Sequence, residues 1–331
     1  MDIDVVIAWV DGSDPCWQAE KAAYSANRDG DTVNRYRDWG LLPAWLRAVE
    51  TFLPWVRKIH FVTWGHVPAF LRENHPKLQV VKHGDFIPEA YLPTFSSHTI
   101  ELNLHRIPGL AEHFIYFNDD MFPLRPMKER DFFRNGLPCT CGSEVPWTLY
   151  GGSGVWYHAA INSLQVINRH FPKKEALRKN KWKYLSPAYR WQDNLRTAAL
   201  QLLFPDGFAG FVNIHGPSAL EKATLEAVWQ AEPELLDQTC RNRFRSPEDV
   251  NQWVFLWWQV ASGRFAPARV DNLVADIEEN SITALCRAVE TQSHSFICLN
   301  DPADGVDFPS LSRQLQESFR KILPKPSEYE K

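Results

Sequence analysis

Apolar positions in the first 120 residues switch between two spacings. Ile3 to Val10 is a short β-rich run that stops at Asp11-Gly12-Ser13-Asp14-Pro15, a turn by composition. Leu42, Trp45, Leu46, Val49 and Phe52 recur at helical spacing. Further strands are expected at Ile59 to Thr63, ending at Trp64-Gly65, at Leu78 to Val81, and at Phe114 to Phe117, which runs straight into Asn118-Asp119-Asp120. Ile100, Leu104 and Ile107 fit a helix whose start Ser96 or Ser97 would cap. Strand, helix, strand, helix predicts an α/β fold, a mostly parallel Rossmann-like sheet flanked by helices.

The pattern changes after about residue 135. Asn135 to Gly154, rich in Gly, Pro and Cys, reads as a loop over the site. Helical segments are expected around 158–170, 187–204, 218–230 and 248–262, then a strand from Ser295 to Leu299 ending at Asn300-Asp301, and a helix near 308–322. This divides the chain into an α/β core, 1–135, and a mostly helical part, 136–331. The second part packs on the sheet, completes the site and returns a C-terminal strand and helix to the core.

Composition narrows the class. At 331 residues and 44% hydrophobic, the chain has enough apolar surface for a large core and too much for disorder. A formal net charge of −4 gives no drive toward nucleic acid. No run approaches a membrane span, and Met-Asp-Ile-Asp lacks a basic leader, which points to a soluble cytoplasmic protein. The six cysteines contain no CxxC pair, so they read as reduced, packed thiols rather than a zinc module or disulfide framework. Lys173, Lys174, Arg178, Lys179, Lys181 and Lys183, interleaved with Trp182 and Tyr184, read either as a solvated face or as a surface for an anionic polymer or membrane headgroups.

Three strand ends carry polar clusters: Asp11 with Asp14, Asn118-Asp119-Asp120, and Asn300-Asp301. Ligands of open parallel sheets bind at such ends. Carboxylates there suit a hard divalent cation, Mg²⁺ or Mn²⁺, with Asp119 and Asp120 as ligands, or a general base. They would also serve as ordinary turn residues. Thr94, Ser96 and Ser97 lead into a helix bearing Glu101 and His105, a pattern for cradling phosphate or for simple capping with a surface ion pair. His215-Gly216-Pro217 and Arg245 offer a proton donor or phosphate ligands, although taken alone His215 reads more readily as structural. P-loop, GxGxxG, GxSxG and HExxH motifs are absent.

Four blocks together resemble the Stealth family of sugar-1-phosphate transferases, which includes bacterial capsular polysaccharide phosphotransferases and the catalytic subunit of N-acetylglucosamine-1-phosphotransferase. They are Ile3 through Asp14; Arg35-Tyr36-Arg37-Asp38 through Trp55-Val56-Arg57-Lys58-Ile59 and Leu92 to Ser97 to Asp120; His215 to Phe244-Arg245-Ser246; and Cys298-Leu299-Asn300-Asp301 with the following helix. The resemblance implies transfer of sugar-1-phosphate from a nucleotide sugar such as UDP-GlcNAc to a glycan hydroxyl, with release of a nucleoside monophosphate. It implies Asp120 as base beside Asp119, and His215 and Arg245 on the phosphate. Trp9, Asp11, Gly12, Arg37, Asp38, Thr94, Ser96, Ser97, Glu101, Asn118, Asn300 and Asp301 would bind substrate. The implied setting is capsule or exopolysaccharide synthesis, peripheral to a membrane-bound polysaccharide assembly on the inner face.

One departure stands out: Trp39-Gly40-Leu41-Leu42 occupies a position where the family commonly has Asn-Gly-Glu-Leu. Two rivals follow. A metal-dependent glycosyltransferase would release a nucleoside diphosphate, and a carbohydrate-binding protein with a decayed site would release nothing.

Overall fold

A computed structural model of the chain describes residues 1–25, 36–212, 215–301 and 306–331. It opens with β1 (Ile3–Ala8), α1 (Pro15–Tyr24), α2 (Leu42–Phe52), β2 (Ile59–Thr63), β3 (Leu78–Lys82) and α3 (Ser97–Asn103). Then come β4 (His113–Asn118), β5 (Met121–Pro123), the single turn α4 (Glu129–Phe132), β6 (Phe133–Arg134) and β7 (Leu137–Thr140). Three helices follow, α5 (Val155–His170), α6 (Lys173–Tyr184) and α7 (Trp191–Leu203), before β8 (Ser218–Glu221). The remainder runs α8 (Lys222–Ala231), α9 (Pro233–Arg241), α10 (Trp253–Ala261), β9 (Ala266–Pro267), β10 (Asn272–Asp276), α11 (Ile282–Glu290), β11 (Phe296–Asn300) and α12 (Phe308–Ile322).

The main sheet has the order β3-β2-β1-β4-β8, parallel except for β8. Its strands are apolar on both faces because successive side chains point opposite ways and both faces are covered. Val5 and Ile7 join a core with Phe61, Ile115 and Phe117 under α2, α11 and α12. Val6 joins Val62, Phe114 and Tyr116 in a second core under α8 and α10. On α2, the helical spacing buries Leu42, Trp45, Leu46, Val49 and Phe52 together, each such burial stabilising by roughly 1.5–3 kcal/mol. A fully buried Asp4 ties sheet to loops: it accepts from Arg57 Nε (2.8 Å) and the Ala111 amide (2.8 Å), with His60 Nε2 at 2.9 Å. Burial alone would raise its pKa, but these partners outweigh it and pull the carboxyl down to about 2.

Several expectations are corrected. Asn135–Gly154 is not one loop, because Asn135 and Gly136, both at positive φ, turn β6 into its antiparallel partner β7. The run 218–230 begins as a strand: all four residues of β8 are buried against β4, and tertiary packing outweighs the helical spacing that continues into α8. The helix from Ser97 stops at Asn103 and tightens into a 3-10 turn over Leu104–Arg106. Ser96 stands at its N-cap without a side-chain cap bond. The last strand lies in a separate sheet, parallel to β10 and antiparallel to β5. Helices α6, α9 and α11 lie outside the expected segments. The six cysteines are free, four of them buried, with Cys16 exposed and Cys286 half-buried.

Candidate active site

In the order β3-β2-β1-β4-β8 the chain leaves β1 on one side for β2 and returns on the other with β4. The carboxyl ends of β1 and β4 therefore diverge into a crevice, the usual ligand position in such sheets. Asp11 follows β1, while Asp119 and Asp120 form the turn between β4 and β5. Because β8 is antiparallel and pairs Ser218 with Tyr116, its start lies at the same end and carries His215 there. His215 Nε2 is 3.7 Å from Asp120 Oδ2. The Asn272 amide donates to the His215 carbonyl at 2.5 Å and fixes the segment.

Arg245 arrives from the α9–α10 loop and donates to Ser97 Oγ at 2.8 Å. That loop is held by the buried Asp249, whose carboxylate accepts from the Ser246 amide (2.8 Å) and Asn242 Nδ2 (2.8 Å), with His98 Nδ1 at 2.9 Å. Asp119 keeps solvent-accessible surface at the turn, yet protein atoms crowd its carboxyl. That desolvation first, then repulsion from Asp120 and Asp38, pushes its pKa up to about 7 against the opposing charge of Arg245. Desolvation and the neighbouring Asp11 likewise raise Asp38, whose carboxylate accepts from the Gly40 amide at 2.8 Å.

Other residues named from the sequence gather around the same strand ends. Asp11 Oδ1 accepts from the Ser13 amide at 2.8 Å and the Ser13 hydroxyl at 2.6 Å. Its own amide donates to His66 Nε2 at 2.8 Å, so the neutral His66 ring carries its hydrogen on Nδ1. Trp9 packs against Phe61 and edge-on to His66. A Cβ on Gly12 would lie 2.0 Å from the Tyr36 carbonyl oxygen, which is why glycine stands there. Arg37 lies over Phe308, 4.8 Å from the ring centre, and 3.7 Å from Asp301. Asn300 donates to Asp276 at 3.0 Å, and Asn118 pairs in register with Ala8.

Thr94, Ser96 and Glu101 are buried, and Glu101 accepts from the Gln252 amide at 3.1 Å rather than forming a surface ion pair. Arg35, the first residue of the second block, lies outside the described residues. His66, His98, Asp249, Asn272 and Cys298 also shape this region without a sequence signal of their own. His98 and Cys298 lie inside the segments that resemble the family, whereas Asn272 leaves no trace in local pattern.

Asp120, His215 and Cys298 place ligand atoms within 4.8 Å of one another, a candidate cation site. Burial first, then the Asp120 carboxylate, pushes the Cys298 thiol far up, and a thiol that stays protonated is a poor ligand. Asp120 Oδ1 is buried with no hydrogen-bond partner. With Asp119 beside it, that oxygen suits a hard cation.

Comparison with known proteins bears on the family of the chain. Conserved region 1 of the Stealth proteins matches residues 1–29, and conserved region 2 matches residues 35–139. The receptor polysaccharide phosphotransferase WefC of Streptococcus oralis is 35% identical over 99% of both chains. The capsular polysaccharide phosphotransferase WcwK of Streptococcus pneumoniae is 33% identical over 99% of both. The exopolysaccharide phosphotransferase cps2G of Lactiplantibacillus plantarum is 34% identical over 100% of this chain and 96% of its own. Among solved structures, the galactosyltransferase LgtC, in complex with donor and acceptor sugar analogues, aligns over 98% of each chain with 12% identity and a TM-score of 0.41, too loose a likeness to bear on the chemistry. With full-length identity of this order to several such enzymes, the chain belongs to the Stealth family of polysaccharide phosphotransferases.

Proposed function

We propose that the chain transfers an intact sugar-1-phosphate from a nucleotide sugar, such as UDP-GlcNAc, to a glycan hydroxyl during capsule or exopolysaccharide synthesis. The observation that carries this reading is the meeting of Asp120 and His215, 3.7 Å apart at the sheet's switch point, with Arg245 held nearby on Ser97. The acceptor oxygen attacks the phosphorus bearing the sugar, and Asp120 takes the acceptor proton. The phosphorus–oxygen bond within the diphosphate breaks, and the nucleoside monophosphate leaves with the bonding pair. His215 and Arg245 meet the charge that accumulates on the phosphoryl oxygens.

Asp119 and Asp120 would hold Mg²⁺ or Mn²⁺. That ion supplies further charge neutralisation at the diphosphate. The strand-end residues Asp11, Asp38, Asn118, Asn300 and Asp301, with Arg37 and Ser97, line the donor side. The buried Trp9, Thr94, Ser96 and Glu101 shape that side from behind. In this reading residues 1–135 are the nucleotide-sugar-binding core and 136–331 complete the site. The acceptor grows on a membrane-bound assembly at the cytoplasmic face.

The test is to incubate the protein with Mg²⁺, acceptors and a panel of nucleotide sugars, and to identify the nucleotide released. Acceptor-dependent release of the monophosphate supports the reading. Release of the diphosphate means that the sugar's C1–oxygen bond breaks, and it overturns the roles given to His215 and Arg245.

A further inference from the structure

Helices α6 and α7 carry an unusual outer surface. Trp182, Trp191 and Leu202 are 78%, 70% and 82% exposed, and Leu195, Leu203 and Phe204 are exposed too. On α7 the order is helical: Trp191, Leu195 and Leu202 share one face, while Thr197 and Leu200 turn to the opposite, buried side. Among the described residues no helix is long and apolar enough to cross a membrane, and the stripe on α7 is a surface feature. Scattered apolar residues on a surface need no explanation, but an aligned group does.

Charge gathers on the same pair of helices. Residues 171–204 hold eight basic and two acidic residues in a chain of net charge −4. Two of the lysines face inward, fastening α6 to the body and to the end of α7. Lys173 Nζ donates to Glu144 Oε2 (2.9 Å) and the Phe204 carbonyl (2.9 Å), and Lys183 Nζ donates to the carbonyls of Gly263 (2.6 Å) and Phe265 (2.9 Å). Arg178, Lys179, Lys181 and Arg190 are exposed and meet no acidic partner among the described residues. Tryptophan and leucine beside unpaired cations suit an interface with apolar interior and anionic rim. A second copy fits poorly, since a two-fold contact would set this positive face against itself.

We propose that the α6–α7 surface docks the protein on an anionic phospholipid bilayer. Trp182, Trp191, Leu195 and Leu202 enter the interfacial layer while the free cations meet lipid phosphates. The proposal deepens the function above, resting on it only for the idea that the acceptor is held at a membrane. Binding is therefore measured without substrate, so that either reading can fail alone.

The full chain is mixed with vesicles of phosphatidylcholine containing phosphatidylglycerol, or of phosphatidylcholine alone, and sedimented. Partition to the anionic vesicles should exceed the neutral ones by at least about tenfold, weaken with salt, and shift tryptophan emission to the blue. Trp191→Ser with Leu202→Ser, and separately Arg178→Glu with Lys181→Glu, should each lower partition about tenfold or more while circular dichroism stays that of the wild type. Equal partition to both vesicles overturns the proposal, as does wild-type binding by both folded variants. A lipid-free dimer that the Trp191→Ser, Leu202→Ser variant dissolves also overturns it, giving the surface to a second copy.

Discussion

In the central sheet, β1 and β4 turn mostly apolar side chains to both covered faces, the buried Asp4 apart, and release a cluster of polar groups at their carboxyl ends. Helices α6 and α7 differ: Lys173 and Lys183 bond inward beside buried apolar residues, and tryptophan and leucine are presented outward. In the first region apolar residues build the fold and the polar groups at the strand ends form the candidate site. In the second, Ala176, Tyr184 and Leu200 are buried with Lys173, and a second apolar set is left outward. A buried residue's type therefore says little about its role until its partners are known.

The largest effect should come from the polar ends of the sheet. Asp120→Asn, His215→Ala and Arg245→Ala should each lower turnover about 10²–10⁴-fold, measured by nucleotide release, with a melting temperature close to wild type. A large fall in melting temperature would show that these groups serve the fold as the apolar strand residues do.

Next is the inward side of α6. Lys173→Met should cost about 3–5 kcal/mol in denaturant unfolding because Glu144 is then buried without its charge partner. Adding Glu144→Leu should recover most of that loss. Smaller is the acid dependence set by Asp4. Its folded pKa lies below its unfolded value, so its contribution is present above about pH 4 and lost as pH falls toward 2. Asp4→Asn should flatten the fall in unfolding free energy over that range by about 2–3 kcal/mol. Smallest of all, Trp191→Ser should change the stability of the free protein by less than about 0.5 kcal/mol. A larger loss would place Trp191 with the core and collapse the contrast between the two regions.

Much of the site was legible because β1 and β4 are short apolar runs that end abruptly in Asp and Asn, and that pattern reports both strand and crevice. His215 and Arg245 gained their roles only through the resemblance, since no local spacing distinguishes a phosphate ligand from a loop residue. Strand β8 was hidden because its four residues adjoin a longer helical pattern, and only pairing with β4 makes them extended. The bonds from Asp249 to the His98 ring and from Asn272 to the His215 carbonyl join distant parts of the chain. Such contacts leave no periodic mark. The break at Asn180 within α6 and the inward turn of Lys173 likewise concealed how a basic run divides into fasteners and free charges.

The antiparallel arrival of β8 also governs when the protein can act during its own manufacture. Synthesis proceeds from the N-terminus, so the ribosome delivers both aspartates of the β4–β5 turn well before His215 and Arg245. All four parallel strands of the main sheet are made while His215 and Arg245, the Asn300 and Asp301 assigned to the donor side, and the covering helices α11 and α12 have yet to be translated. On the proposed chemistry, nascent and prematurely terminated chains are inert toward the donor, and competence begins only when the later segment has threaded back to the sheet's edge.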